Sequence, residues 1–231
     1  MIDWDFQRSA KALVKTLNQI HVDSNVRSSL SSLSSELISW VVETRRDGGG
    51  GSACNEVIYL YHPPVLICPK NKHHSHRVVE SITTDEDEQL DSVELDESTV
   101  LNNHSTMDFT EWSFSVVFHE IWRVPTLYFD VNGSDGTPIT REEVVRLVSD
   151  SMTEEQSWDF ISQEEHPMTG SPSFFLHPCQ TVAKMELLLL QEQHNLCPLL
   201  SWMSMILPSV GCSINAVVYH EAMKRMSSSR S

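Results

Sequence analysis

Basic residues are scarce in this chain. Sixteen lysines and arginines stand against thirty-two aspartates and glutamates, giving a formal net charge of -16. That balance repels nucleic-acid phosphates and anionic membrane surfaces, and it suits a protein whose partners present basic surfaces. Nucleic-acid binding is therefore excluded as the expected role. Long apolar runs are missing too. No stretch reaches the roughly 20 residues needed to span a bilayer. The acidic opening Met1-Ile2-Asp3-Trp4-Asp5 lacks the basic and apolar regions of a signal peptide. No stable membrane insertion is expected, and the cytoplasm is the expected location. Cysteine is sparse and irregular. Five cysteines, an odd number with no C-x-x-C pair, provide neither a disulfide framework nor a structural zinc site, so reduced thiols and no metal or other cofactor are expected.

What is present has a legible order. Phe6, Ala10, Leu13, Val14, Leu17 and Ile20 fall at three-and-four spacing, which predicts an amphipathic helix over 3–20. Leu30, Leu33, Leu37 and Val41 continue in step as a helical or mixed segment running into Trp40-Val41-Val42-Glu43. Arg45-Arg46-Asp47 and the glycines 48–51 read as a flexible hairpin loop, because unbroken glycine costs backbone entropy and buries nothing. The β-branched and aromatic run Val57 to Tyr61 predicts a strand that Pro63-Pro64 ends or bends.

From Lys70 to about Thr106 the composition passes from a basic cluster with His73, His74 and His76 into a long acidic stretch. Such a segment cannot bury enough apolar surface to offset its ordering entropy. It divides the chain into 1–69, a disordered acidic insertion at 70–106, and 107–231. The three histidines, with no cysteine near them, read as a solvated tract rather than a metal site.

Order resumes in Trp112 to Phe118 and Pro125 to Val131, two more strands. In the second, Leu127 and Phe129 are expected to face the core and Thr126 and Tyr128 the surface. Asn132-Gly133 and Asp135-Gly136 signal turns. Thr140-Arg141-Glu142-Glu143 then matches a capping box at a helix start. Residues 158–166 read as a loop or short helix. Met185 to Leu190, Leu199 to Leu207 and Ile214 to Met223 read as helices, with the leucines 187–190 as core. Helix, antiparallel strands, then helices is an α+β architecture.

One cysteine stands apart. Cys179 follows the apolar run Phe174-Phe175-Leu176 and His177-Pro178, and it precedes a helix-like stretch from Thr181 to Gln191. A strand fixes the backbone before it, and a helix N-terminus behind it would favour thiolate over thiol, which suits nucleophilic chemistry. Cys197 and Cys212 lie among apolar residues that look like core. His177, two residues before the cysteine in an extended chain, shares its side and could assist it, although a turn histidine before proline is the plainer reading.

Four blocks carry a family likeness: Val124-Pro125-Thr126-Leu127-Tyr128-Phe129 with Asp135-Gly136-Thr137-Pro138-Ile139; Gln163-Glu164-Glu165-His166-Pro167; Phe175-Leu176-His177-Pro178-Cys179-Gln180-Thr181; and Ser201-Trp202. In this order they resemble the E2-like ubiquitin-like-conjugating enzymes of autophagy. The likeness covers about Thr110 to Val218 and, loosely, the N-terminal helix. It implies an E2-like core, an antiparallel sheet flanked by helices. It also implies a ubiquitin-like protein, autophagy-related protein 12, carried as a thioester on Cys179. The E1-like autophagy-related protein 7 would load it, and the acceptor would be a lysine of autophagy-related protein 5. Ordinary ubiquitin-conjugating enzymes place an asparagine after His-Pro to support the oxyanion. Here His166-Pro167 is followed by Met168, which cannot donate. By residue chemistry Gln163, His166, Tyr128 and Asn132 are the candidates to support the reaction instead. A sister enzyme of the autophagy-related protein 3 type, acting on lipid, is a rival, as are a non-catalytic E2-like interaction module and, more distantly, a cysteine hydrolase.

Overall fold

Asp5 opens the first helix by accepting the N–H of Arg8 at 3.0 Å. Helix α1, Phe6–Val22, follows, and the six apolar residues at three-and-four spacing are all buried. The computed structural model describes residues 5–23, 39–46, 56–67, 109–148, 160–190 and 197–228. The 24–38 segment, the glycine run, Cys54, Cys68 and the 70–106 insertion with its histidines lie outside the described residues.

Six strands form one sheet: β1 Val41–Arg46, β2 Glu56–Ile67, β3 Thr110–His119, β4 Val124–Asn132, β5 Ile161–Glu165 and β6 Pro172–Leu176. Their order is β1-β2-β3-β4-β6-β5, antiparallel at every pairing. The five helices among the described residues are α1, α2 Arg141–Val148, α3 Val182–Leu190, α4 Pro198–Ile206 and α5 Ala216–Ser228. The α+β reading holds.

The core lies on one face of the sheet. Ile58 and Leu60 of β2, Trp112, Phe114 and Val116 of β3, Leu127, Phe129 and Val131 of β4, and Phe174 and Leu176 of β6 alternate onto it. Phe129 is its ring hub, stacked on Trp112 at 5.6 Å and on Phe174 at 5.8 Å. Helices α1, α2, α4 and α5 add Leu13, Leu17, Val144, Val145, Trp202, Val218 and Ala222 to the same core. Arg225 of α5 joins Asp23, just past α1, at 2.7 Å and so ties the two helices. The capping box forms as expected, with Thr140 N–H donating to Glu143 at 3.0 Å and Glu143 N–H to Thr140 Oγ1 at 3.4 Å.

Four expectations are corrected. Arg45 and Arg46 belong to β1, paired with Val57 and Glu56, rather than to a loop. Arg45 earns its place in the strand through a partner far along the chain, because its guanidinium holds the carbonyls of Pro167 and Met168. Residues 161–165 are a strand: Ile-Ser-Gln-Glu-Glu has little strand propensity, but pairing along all of β6 overrides that weak prior. The leucines 187–190 are not all core, since Leu187 and Leu190 are exposed. Four consecutive residues of a 3.6-residue helix wrap right around it, and only one arc of α3 meets the protein. Finally, Thr126 and Tyr128 are buried, at 1% and 2% exposure, so β4 is covered on both faces.

The cover on that second face comes from the turn between β5 and β6. His166 accepts the N–H groups of Met168 at 3.1 Å and Thr169 at 3.2 Å through Nδ1. Its Nε2, which therefore carries the proton, donates to Ser115 Oγ at 2.6 Å. Gly170 turns the chain with a φ of 75°. Val117, Tyr128 and Phe175, with Tyr59 and Met168 beside them, make a small apolar cluster beneath this turn.

Candidate active site

The path of the chain past β6 determines where Cys179 is presented. His177 N–H donates to Phe160 O at 2.9 Å, which holds the chain beyond Leu176. Buried Pro178 then starts a 3-10 turn, Pro178–Gln180. His177 Nδ1 caps that turn by accepting the Cys179 N–H at 3.2 Å, and Thr181 donates both its N–H (2.9 Å) and its hydroxyl (3.0 Å) to Pro178 O. Cys179 is exposed. The α-helix expected directly behind it begins at Val182, one tight turn later, because the proline and its two caps close a 3-10 ring first. The N–H groups of Cys179 and Thr181 are thereby committed to protein acceptors.

Cys197 and Cys212 are buried, as their apolar neighbours implied. Burial pushes the Cys212 thiol up to about 12, so it stays protonated at neutral pH. Among the described residues, Cys179 is the one exposed thiol.

The supporting candidates do not converge on it. His177 does act locally, but through the backbone of Cys179. Strand β4 runs antiparallel to β6 with Tyr128 opposite Phe175, so its Val124 end lies beside the cysteine turn. Asn132 closes the other end of β4, about 27 Å along the strand from Val124 at about 3.4 Å per residue. His166 occupies the turn at the Pro172 end of the β5–β6 hairpin, whereas Cys179 follows the Leu176 end. Tyr128 donates its hydroxyl to Glu164 at 2.6 Å and packs edge-on to His166 at 4.9 Å. Burial, and then the Glu164 carboxylate, raise its pKa well above the usual phenol range. Gln163 is exposed on β5, opposite Phe174, midway along the hairpin.

One neighbour of the site carries no motif. The turn between β3 and β4 brings Trp122 edge-on to His177, with centroids 5.8 Å apart and planes at 73°. Its signal in the sequence is faint: the apolar pair Ile121-Trp122 set in a polar turn just ahead of Val124-Pro125.

Burial lowers the pKa of His166, against smaller opposing pulls from Asp130 and Glu164. The folded state thus binds a proton less readily than the unfolded chain, whose histidine titrates near 6.5. Stability from His166 is complete above that pH and falls as the pH drops through the lowered folded value. His62, also lowered by burial, adds to the same slope. Denaturant midpoints between pH 8 and pH 5 should therefore fall on acidification. In His166→Gln the dependence should be shallower, and an unchanged slope would show that His166 is not protected in its turn.

An antiparallel sheet backed on one face by helices, with one exposed cysteine just past an inner strand, defines an α+β domain of the E2-like class. The chain matches the family model of the autophagocytosis associated protein, active-site domain, over residues 5–216, and it belongs to that family. It is similar to the ubiquitin-like-conjugating enzyme ATG10 of Homo sapiens, 30% identical over 133 residues that make up 55% of this chain and 60% of the human protein. It is also similar to ATG10 of Arabidopsis thaliana, 35% identical over 112 residues, 45% of this chain and 50% of that one. ATG10 of Dictyostelium discoideum is 30% identical over 118 residues, 45% and 51% of the two chains. The chain thus spans between half and 60% of the length of these curated relatives. Among the described residues, no helix is long and apolar enough to cross a membrane.

Proposed function

We propose that this chain is an E2-like conjugating enzyme of autophagy that carries the ubiquitin-like autophagy-related protein 12 on Cys179 and passes it to a lysine of autophagy-related protein 5. The observation that carries this reading is the exposed Cys179, capped in a 3-10 turn at the end of β6, within a family match that spans the sheet and the turn. In the first step the Cys179 thiolate attacks the thioester carbonyl held by the E1-like autophagy-related protein 7. A new C–S bond forms and the activating enzyme's thiolate leaves. In the second step the acceptor lysine's neutral amine attacks the same carbonyl. The C–N bond forms, Cys179 leaves as thiolate, and the amine's extra proton goes to solvent or a nearby base.

Oxyanion support falls to few groups. His166 and Tyr128 have their donors committed to Ser115 and Glu164, and Asn132 is remote. Gln163 keeps an exposed amide but lies midway along the β5–β6 hairpin, away from the Leu176 end that leads to Cys179, so it too is not placed at the thiol. The lipid-directed alternative draws no support from α1, whose apolar face is buried in the core rather than offered to a membrane.

The test is incubation with the activating enzyme, ATP and each candidate ubiquitin-like protein, read on a non-reducing gel. A thiol-sensitive adduct with autophagy-related protein 12, discharged when autophagy-related protein 5 is added, is the expected result. An adduct formed only with a lipid-directed ubiquitin-like protein would move the chain to the sister type. No adduct from the folded protein would leave a non-catalytic module.

A further inference from the structure

We infer that Trp122 is a positioning residue for the reactive thiol, acting through the His177 ring. The inference rests on the reading of Cys179 as the nucleophile and adds a residue from a different part of the sheet. Strands β3 and β4 are joined by a turn in which Arg123 adopts a φ of 56°, a left-handed conformation that a residue with a Cβ takes only at a cost. The turn is held by Arg123 N–H donating to His119 O at 2.7 Å and by Trp122 N–H donating to His119 Nδ1 at 3.3 Å. The Arg123 guanidinium lies over the Phe118 ring, 5.3 Å from its centre. This clamped geometry does not bury the tryptophan, which stays 42% exposed. It sets the indole edge-on to His177 instead.

His177 has one other role. Its Nδ1 accepts the Cys179 N–H, so the ring must be the tautomer protonated at Nε2 and must stay in one rotamer. A histidine on the surface has little to fix its ring. Here Phe175 contributes a tilted contact at 6.1 Å, and Trp122 of the β3–β4 turn an edge contact at 5.8 Å. Without the indole the imidazole can swing away. The Cys179 N–H then loses its acceptor, and the 3-10 turn that presents the sulfur loosens. Misplacement of a reacting group by a fraction of an ångström to 1 Å slows a reaction substantially.

The experiment compares the full chain with Trp122→Ala, Trp122→Phe, His177→Asn and the double variant carrying Trp122→Ala with His177→Asn. Asparagine can accept the N–H two residues on through its side-chain oxygen, so His177→Asn replaces the cap without needing a neighbour to hold a ring. Three readouts need no partner: the 15N shifts of the His177 ring, hydrogen exchange at the Cys179 amide, and the rate of Cys179 alkylation by iodoacetamide. The fourth is the rate of loading. Trp122→Ala should shift the His177 ring nitrogens toward mixed tautomers, speed Cys179 amide exchange about tenfold and slow loading about tenfold, with the melting temperature kept. Trp122→Phe should stay near the parent. In the His177→Asn background, Trp122→Ala should change neither exchange nor loading. If Trp122→Ala does not fold, Trp122→Leu, which keeps apolar bulk, carries the same expectations. Unchanged ring shifts and amide exchange in the alanine variant would overturn the inference, as would an equal loading defect in the His177→Asn background. If ring shifts and exchange respond as stated while even the parent protein is never loaded, the functional reading fails and the positioning role stands.

Discussion

Replacing Cys179 with alanine should abolish every thiol-sensitive adduct, and replacing it with serine should trap any adduct that forms. Serine keeps the geometry but is a far weaker nucleophile and a poorer leaving group. A ubiquitin-like protein carried on it would be an oxyester that survives reducing agent and discharges slowly. The wild-type adduct should vanish on thiol treatment. The structure sharpens the companion expectation for the other cysteines. Cys197 and Cys212 are buried, and the Cys212 thiol is held protonated, so neither can take over the reaction. Serine at either position tests packing, not chemistry, and serine at Cys54 or Cys68 should leave loading intact. Mass mapping of the adduct on each variant checks this. A thiol-sensitive adduct on the Cys179→Ala protein would sink the assignment.

The second large effect is on stability. Phe129→Ala should destabilise by about 3 to 5 kcal/mol, the usual cost of emptying a fully buried aromatic site. Phe129 is 1% exposed and stacks on Trp112 and Phe174, so its loss leaves three strands without their shared ring. Tyr128→Ala should also cost about 3 kcal/mol, because its ring packs on Phe175 and His166 beneath the β5–β6 turn. Tyr128→Phe keeps the ring and loses only the bond to Glu164, so about 1 kcal/mol is expected. Urea midpoints at constant m-value measure all three. A Tyr128→Ala protein with the parent's midpoint would show that the second face of β4 is not packed.

Much of the fold, and the candidate reactive cysteine, can be read without coordinates, because the information is local. Three-and-four spacing in α1, alternation in β3 and β4, and the Thr140 to Glu143 box each encode a periodicity or a cap within a few residues. Cys179 is legible for the same reason: strand, His-Pro and thiol are contiguous. Likewise Cys197 and Cys212 announce their burial through their apolar neighbours.

What the chain's local patterns cannot express is pairing between distant segments, and only the tertiary structure decided it. Ile161–Glu165 is a strand because β6 lies beside it, and Arg45 stays extended because Pro167 and Met168, more than a hundred residues on, offer it carbonyls. Tyr128 is buried because a turn from another hairpin, pinned by His166 to Ser115, closes over a face that alternation assigns to solvent. Trp122 meets His177 only because β4 returns antiparallel beside β6 and brings the β3–β4 turn to the end of the sheet where the cysteine is held. Period and propensity act over a few residues, whereas sheet order is set by burial shared among all the strands. The candidate nucleophile was therefore visible in the sequence, and the side chains packed around its turn were not.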